Sequence, residues 1–128
     1  MKYYISKTLP DTFEAAVEKV TGELKKEGFG ILTEIDVQKI LKEKLDADLM
    51  RYKILGACNP AFAHRALQSE PRIGTMLPCN VIVRETENQE VDVAAVDPLA
   101  SMQAVENPEL ETIAKQVQAK LKKVIDSL

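Results

Sequence analysis

Apolar positions recur along the chain with two periods, and those periods mark out the elements. Phe13, Val17, Val20 and Leu24 repeat at steps of three and four, with Glu14, Glu18, Lys19 and Lys25 between them. This spacing predicts an amphipathic helix over roughly Asp11 to Lys26. Asp11 or Thr12 caps it, and Gly28 stops it in a left-handed conformation. Gly22 inside the helix costs about 1 kcal/mol relative to Ala, which predicts a close packing contact there. Leu110, Ile113, Val117, Leu121 and Val124 form a second stripe on a last helix, opened by Asn107 as cap and Pro108 in the first turn. Asp36 caps a shorter helix, about Val37 to Lys44, with Val37, Ile40 and Leu41 facing inward.

Elsewhere the pattern is that of strands. Tyr3 to Lys7 reads as the first, with Tyr3 and Ile5 on one face, and Leu9-Pro10-Asp11 breaks it. Gly28 to Ile35 and Arg51 to Ala57 are the second and third. Leu77 to Glu85 and Glu90 to Val96 are the fourth and fifth, joined through Thr86-Glu87-Asn88-Gln89 as a hairpin loop. The fourth strand alternates Cys79, Val81 and Val83, facing the core, with Asn80, Ile82 and Arg84. Arg72 to Met76 is a connection. Leu99 to Glu106 is a short helix carrying Met102, or a loop. Two long amphipathic helices need a sheet to cover, which gives an α+β two-layer sandwich with a mainly antiparallel sheet and helices on one face. The 128 residues suffice for a single domain with one core.

One junction concentrates chemistry. Ile54-Leu55-Gly56-Ala57-Cys58 runs into Asn59-Pro60, where a third helix starts and continues to about Ser69. Asn59 is the expected N-cap and Pro60 the first helical residue. Phe62, Ala63, Ala66 and Leu67 form its apolar stripe, and Pro71 ends it. Cys58 thus sits just outside a helix N-terminus, where partial positive charge favours thiolate. The only histidine, His64, lies four positions after Pro60, within reach of a Cys–His couple. Cys58 and Cys79 are 21 positions apart, which is not the spacing of a zinc or thioredoxin motif, so no metal or cofactor is implied. They meet only if the third and fourth strands are neighbours. Asn59 and Asn80 stand beside the two cysteines and complete the candidate ligand-binding set of Cys58, Asn59, His64, Cys79 and Asn80. Glu85, Asp92 and Asp97 form no motif and read as solvated positions. Gly28-Phe29-Gly30 lacks the run of a phosphate loop.

Charge and composition narrow the function. A net charge of −3 and a pI near 5.3 argue against a nucleic-acid partner held by phosphate contacts. No apolar run approaches the roughly 18 residues of a membrane span. Met1 to Lys7 holds no apolar segment of signal-peptide length, so a cytoplasmic location with reduced thiols is expected. No full catalytic constellation is present, and enzymatic activity stays open. Two readings follow. One is a homodimeric small-ligand-binding or scaffold module, because helices on one face leave the other to water or a second copy. The other is a thiol-dependent redox, sulfur-transfer or metal-handling protein using Cys58, helped by Cys79 and His64.

Gly56-Ala57-Cys58-Asn59-Pro60 and Met76-Leu77-Pro78-Cys79-Asn80-Val81-Ile82-Val83, with Gly28-Phe29-Gly30 before Glu34-Ile35-Asp36-Val37 and a late Asp97-Pro98, resemble the domain-of-unknown-function 302 family. The resemblance covers nearly the whole chain. It implies a TATA-binding-protein-like fold, a curved antiparallel sheet with helices on one face, and a homodimer. It supplies no activity, and the fold likeness carries no DNA-binding function into an acidic chain.

Overall fold

The computed structural model describes residues 2–128. The chain runs β1 (Tyr4–Leu9), α1 (Phe13–Lys26), β2 (Gly30–Asp36), α2 (Val37–Leu45), β3 (Tyr52–Cys58) and α3 (Pro60–Ser69). A 3-10 segment (Pro71–Met76) leads to β4 (Cys79–Glu85), β5 (Val91–Val96), α4 (Pro98–Ser101) and α5 (Pro108–Asp126). The strands form one antiparallel sheet in the order β1-β5-β4-β3-β2, with helices packed on one side. The α+β two-layer sandwich expected from the pattern is the fold. β1 and β2 are the two edges, so α1 carries the chain across the covered face from one edge to the other. Among the described residues no helix is long and apolar enough to cross a membrane.

The two stripes read from the sequence build the core. α1 buries Phe13, Ala16, Val20 and Leu24; α5 buries Leu110, Ile113, Val117, Leu121 and Val124, together with Ala114 and Ile125. They cover Leu55, Ala57, Cys79, Val81, Val83, Val91, Val93 and Ala95 from the sheet. Each fully buried Val or Leu contributes about 1.5–3 kcal/mol, which makes this layer the main source of stability.

The helix ends show how local chemistry sets the boundaries. Thr12 caps α1 by accepting from the Ala15 N–H at 3.2 Å, and Gly28 follows its end with φ +86°. Asp36 caps α2 through the Lys39 N–H at 3.0 Å. The Asn107 side chain accepts from the N–H groups of Glu109 and Leu110, and donates to Ser69, tying α5 to the end of α3.

Several expectations need correction. Val37, Ile40 and Leu41 have helical spacing, yet α2 buries no side chain, because it follows an edge strand and packs chiefly beside β3. Gly22 marks no close contact: nothing lies within 4 Å of where its Cβ would stand. Leu67 is exposed, and Ala66 is the one buried residue of α3. Tyr3 lies outside β1 and does not share the face of Ile5. Arg72 to Met76 is not a plain connection but a helical turn that buries Ile73. Leu99–Glu106 holds the short α4 at its start, with Met102 just beyond it.

Candidate functional site

The sequence points first to the β3–α3 junction. The pairing of Ala57 with Cys79 makes β3 and β4 neighbours, so Cys58 and Cys79 do meet, both as free thiols. They line one cavity of about 40 Å³, walled by Phe29, Phe62, Met102 and Ile113 among others. That space exceeds the roughly 30 Å³ of one water and falls far below the roughly 300–1,000 Å³ of ligand pockets. Burial pushes the Cys79 thiol up to about 11, with the nearby Cys58 sulfur adding to the rise. At neutral pH Cys79 is therefore a protonated thiol, a poor nucleophile and a poor metal ligand.

The other junction residues are placed differently from expectation. Asn59 makes no side-chain cap on α3. Its amide instead donates to the Glu27 carbonyl at 3.2 Å, satisfying the end of α1. That bond locks the junction to a helix 32 positions earlier in the chain, and it wins because a half-buried carbonyl without a partner is costly. His64 is exposed and does not line the cavity, so the structure assembles no Cys–His couple around it. Among the described residues no group of three or more His, Cys, Asp or Glu side chains could hold a metal ion.

Asn80 belongs to another place, the sheet face opposite the helices. Register arranges that face in rows. Tyr52, Arg84 and Asp92 stand side by side on β3, β4 and β5; Ile54, Ile82, Ala94 and Ser6 make the next row; Gly56 pairs with Asn80, and Val96 with Tyr4, at the far end. A bulge at Leu32 on β2 turns Thr33 and Ile35 onto this face, above Gly56 and Ile54. Tyr3, Tyr4, Tyr52, Asn80, Ile82, Arg84, Asp92 and Ala94 line a groove of about 640 Å³. Ala94 on its floor is only 9% exposed although no helix covers it. Arg84 donates through Nε to Asp92 at 2.8 Å, and its two terminal nitrogens take no partner among the described residues.

Asp92 and Asp97 are therefore not merely solvated. Asp92 holds Arg84 in place. Asp97 caps α4 through the Leu99 N–H at 3.0 Å and accepts two bonds from the Gln118 amide, each 3.0 Å, which join α4 to α5. The sequence reading missed Tyr3, Tyr4, Tyr52 and Asp92 as site residues. Extending the predicted β4–β5 hairpin symmetrically from its four-residue loop sets Arg84 opposite Val91, one position short of its true partner Asp92, so only the nearness of the two was readable. The tyrosines were not, because their meeting depends on β1 joining the far side of β5.

No curated protein matches the chain. Among solved structures, an uncharacterized conserved protein of the same family from Bacillus stearothermophilus is 28% identical, with 98% of each chain covered and a TM-score of 0.91. It carries the same fold and no stated activity. The family model described as Domain of unknown function DUF302 matches residues 5–128, essentially from β1 to the end of α5, and the chain belongs to that family.

Proposed function

We propose that this protein is a non-catalytic binding module whose working surface is the uncovered sheet face. The groove takes a small ligand, and two copies meet face to face across the remainder. One observation carries the reading: the groove of about 640 Å³ is ligand-sized, whereas the cavity between the thiols is about 40 Å³. The raised Cys79 thiol weighs in the same direction, since it leaves thiol chemistry to Cys58 alone. For the dimer, five strands at ~4.8 Å spacing and about six residues of ~3.3 Å rise give a face of roughly 480 Å². Two such faces, groove included, bury at most roughly 1,000 Å², which is in the range of weak, transient association.

Ile35 lies on this face outside the groove and is 41% exposed, so Ile35→Asp leaves the fold intact. Light scattering is expected to give a dimer at micromolar concentration for the parent protein and a monomer for Ile35→Asp. A monomeric mass over a wide concentration range removes the dimer. Amide chemical shifts during a fragment screen locate the ligand site independently. Shifts gathered at Asn80, Arg84 and Tyr52 support the groove, and shifts gathered at Cys58 and Cys79 refute it.

A further inference from the structure

All three tyrosines of the chain, Tyr3, Tyr4 and Tyr52, line the groove. The three phenylalanines are kept from it: Phe13 and Phe29 are buried in the core and Phe62 packs against that core. Aromatic rings with a polar tip are thus gathered on one surface, the composition that suits a site with an apolar body and a wet edge. Tyr3 and Tyr4 meet edge to face, with centroids 5.0 Å apart at 71°, and Tyr3 remains 72% exposed.

The opposite end of the groove supplies the polar contact. Asp92 pins Arg84 through Nε, which leaves the outer fork of the guanidinium without a partner among the described residues. A planar fork already held in one orientation loses little freedom on binding, and its geometry matches a carboxylate with two parallel hydrogen bonds. Arg84 and Asp92 cancel in charge, but Lys2 stands 5.8 Å from the centre of the Tyr4 ring. The groove's own charged pair is neutral, and the Lys2 ammonium adds a positive charge beside Tyr4 at its edge. Arg84 and Asn80 are four residues apart on β4, about 13 Å at strand rise. A molecule reaching from the guanidinium to the tyrosines at the far end is longer than one ring.

Resting on the groove reading above, we propose that the ligand is a planar two-ring aromatic carboxylate. Its carboxylate accepts from the free nitrogens of Arg84, and its rings lie over Ile82 and Ala94 between Tyr52 and Tyr4.

Calorimetric titration of the intact protein tests this with 2-naphthoate, its uncharged counterpart 2-naphthamide, and the non-aromatic cyclohexanecarboxylate. The expected result is 2-naphthoate bound at least about tenfold more tightly than 2-naphthamide, the size of one charge-assisted contact, and more tightly than cyclohexanecarboxylate, which lacks the rings to stack. Arg84→Gln, at a position whose side chain is 45% exposed, is expected to erase the difference between naphthoate and naphthamide. Tyr52→Leu is expected to weaken both aromatic probes. Equal binding of the acid and the amide, or a preference that survives Arg84→Gln, overturns the proposal. If 2-naphthoate stays silent while other fragments shift Asn80, Arg84 and Tyr52, the ligand class falls and the groove stands. If no fragment shifts those residues, both fall.

Discussion

Replacing Gly56 by Ala tests whether the open face is as tightly assembled as its register implies. In most strand interiors such a change stabilises, because Gly costs about 0.5–1 kcal/mol relative to Ala. Here an added Cβ would collide with Thr33 Oγ1 from the edge strand and stand 2.8 Å from Pro78 Cγ. Both neighbours are short and attached close to backbone, so neither swings clear. Overpacking of this kind costs about 1–3 kcal/mol, and subtracting the glycine gain leaves a net loss of roughly 1–2 kcal/mol. For a chain of this size that corresponds to a melting point lower by about 4–8 °C. Urea unfolding of Gly56→Ala should therefore show a lower midpoint with an unchanged slope. The assignment to Thr33 is tested by a double-mutant cycle with Thr33→Ala, expected to recover about 1 kcal/mol. A stabilised Gly56→Ala, or a cost that is identical with and without the Thr33 hydroxyl, would refute the reasoning.

Three further outcomes follow from the same structure. Cys79 releases its proton near 11 when folded against an ordinary 9.0, so the unfolded chain ionises first; its contribution is complete below pH 9 and disappears as pH rises through 11. That amounts to about 2–3 kcal/mol, read as the difference in the pH dependence of urea midpoints between the parent and Cys79→Ala; parallel curves would contradict it. Asp97→Ala removes the α4 cap and both bonds to Gln118, and is expected to lower stability by about 1–2 kcal/mol, with Asp97→Asn recovering part; a loss below about 0.5 kcal/mol would mean water replaces these bonds. Gly22→Ala meets open space on the exposed side of α1 and should raise stability by up to about 1 kcal/mol in the same assay, whereas a loss would reveal a contact absent from the structure.

What the sequence discloses here divides along a physical line. α1 and α5 were legible because Val20, Leu24, Leu110 and Leu121 repeat at the helical period, and period alone determines which side is buried. The Cys79-Val81-Val83 alternation likewise placed β4 correctly. α2 is different: Val37, Ile40 and Leu41 have the right spacing, but spacing does not say whether a partner layer exists, and beside an edge strand none does. Asn59 had the right identity for a cap and found a better acceptor on Glu27, a competition no local window contains. The candidate site divided in the same way. The meeting of Cys58 and Cys79 followed once strand neighbours were known. The groove depends on which strands lie side by side across the sheet, and Tyr4 reaches it only because the first strand adds beside the last.

The concentration of every tyrosine on one surface, in a chain with no tryptophan, has a spectroscopic consequence. Near-ultraviolet absorption, emission and circular dichroism arise almost wholly from those three rings. They act as a reporter attached to the open face, while the packed layer between sheet and helices is nearly dark. A ligand or a second copy settling on the face changes the optical signal with the fold untouched. Loosening of the helix layer proceeds with little near-ultraviolet trace until the sheet itself gives way. Unfolding followed by tyrosine emission and unfolding followed by far-ultraviolet dichroism therefore watch different parts of this molecule, and a gap between their midpoints would measure how independently the two layers hold.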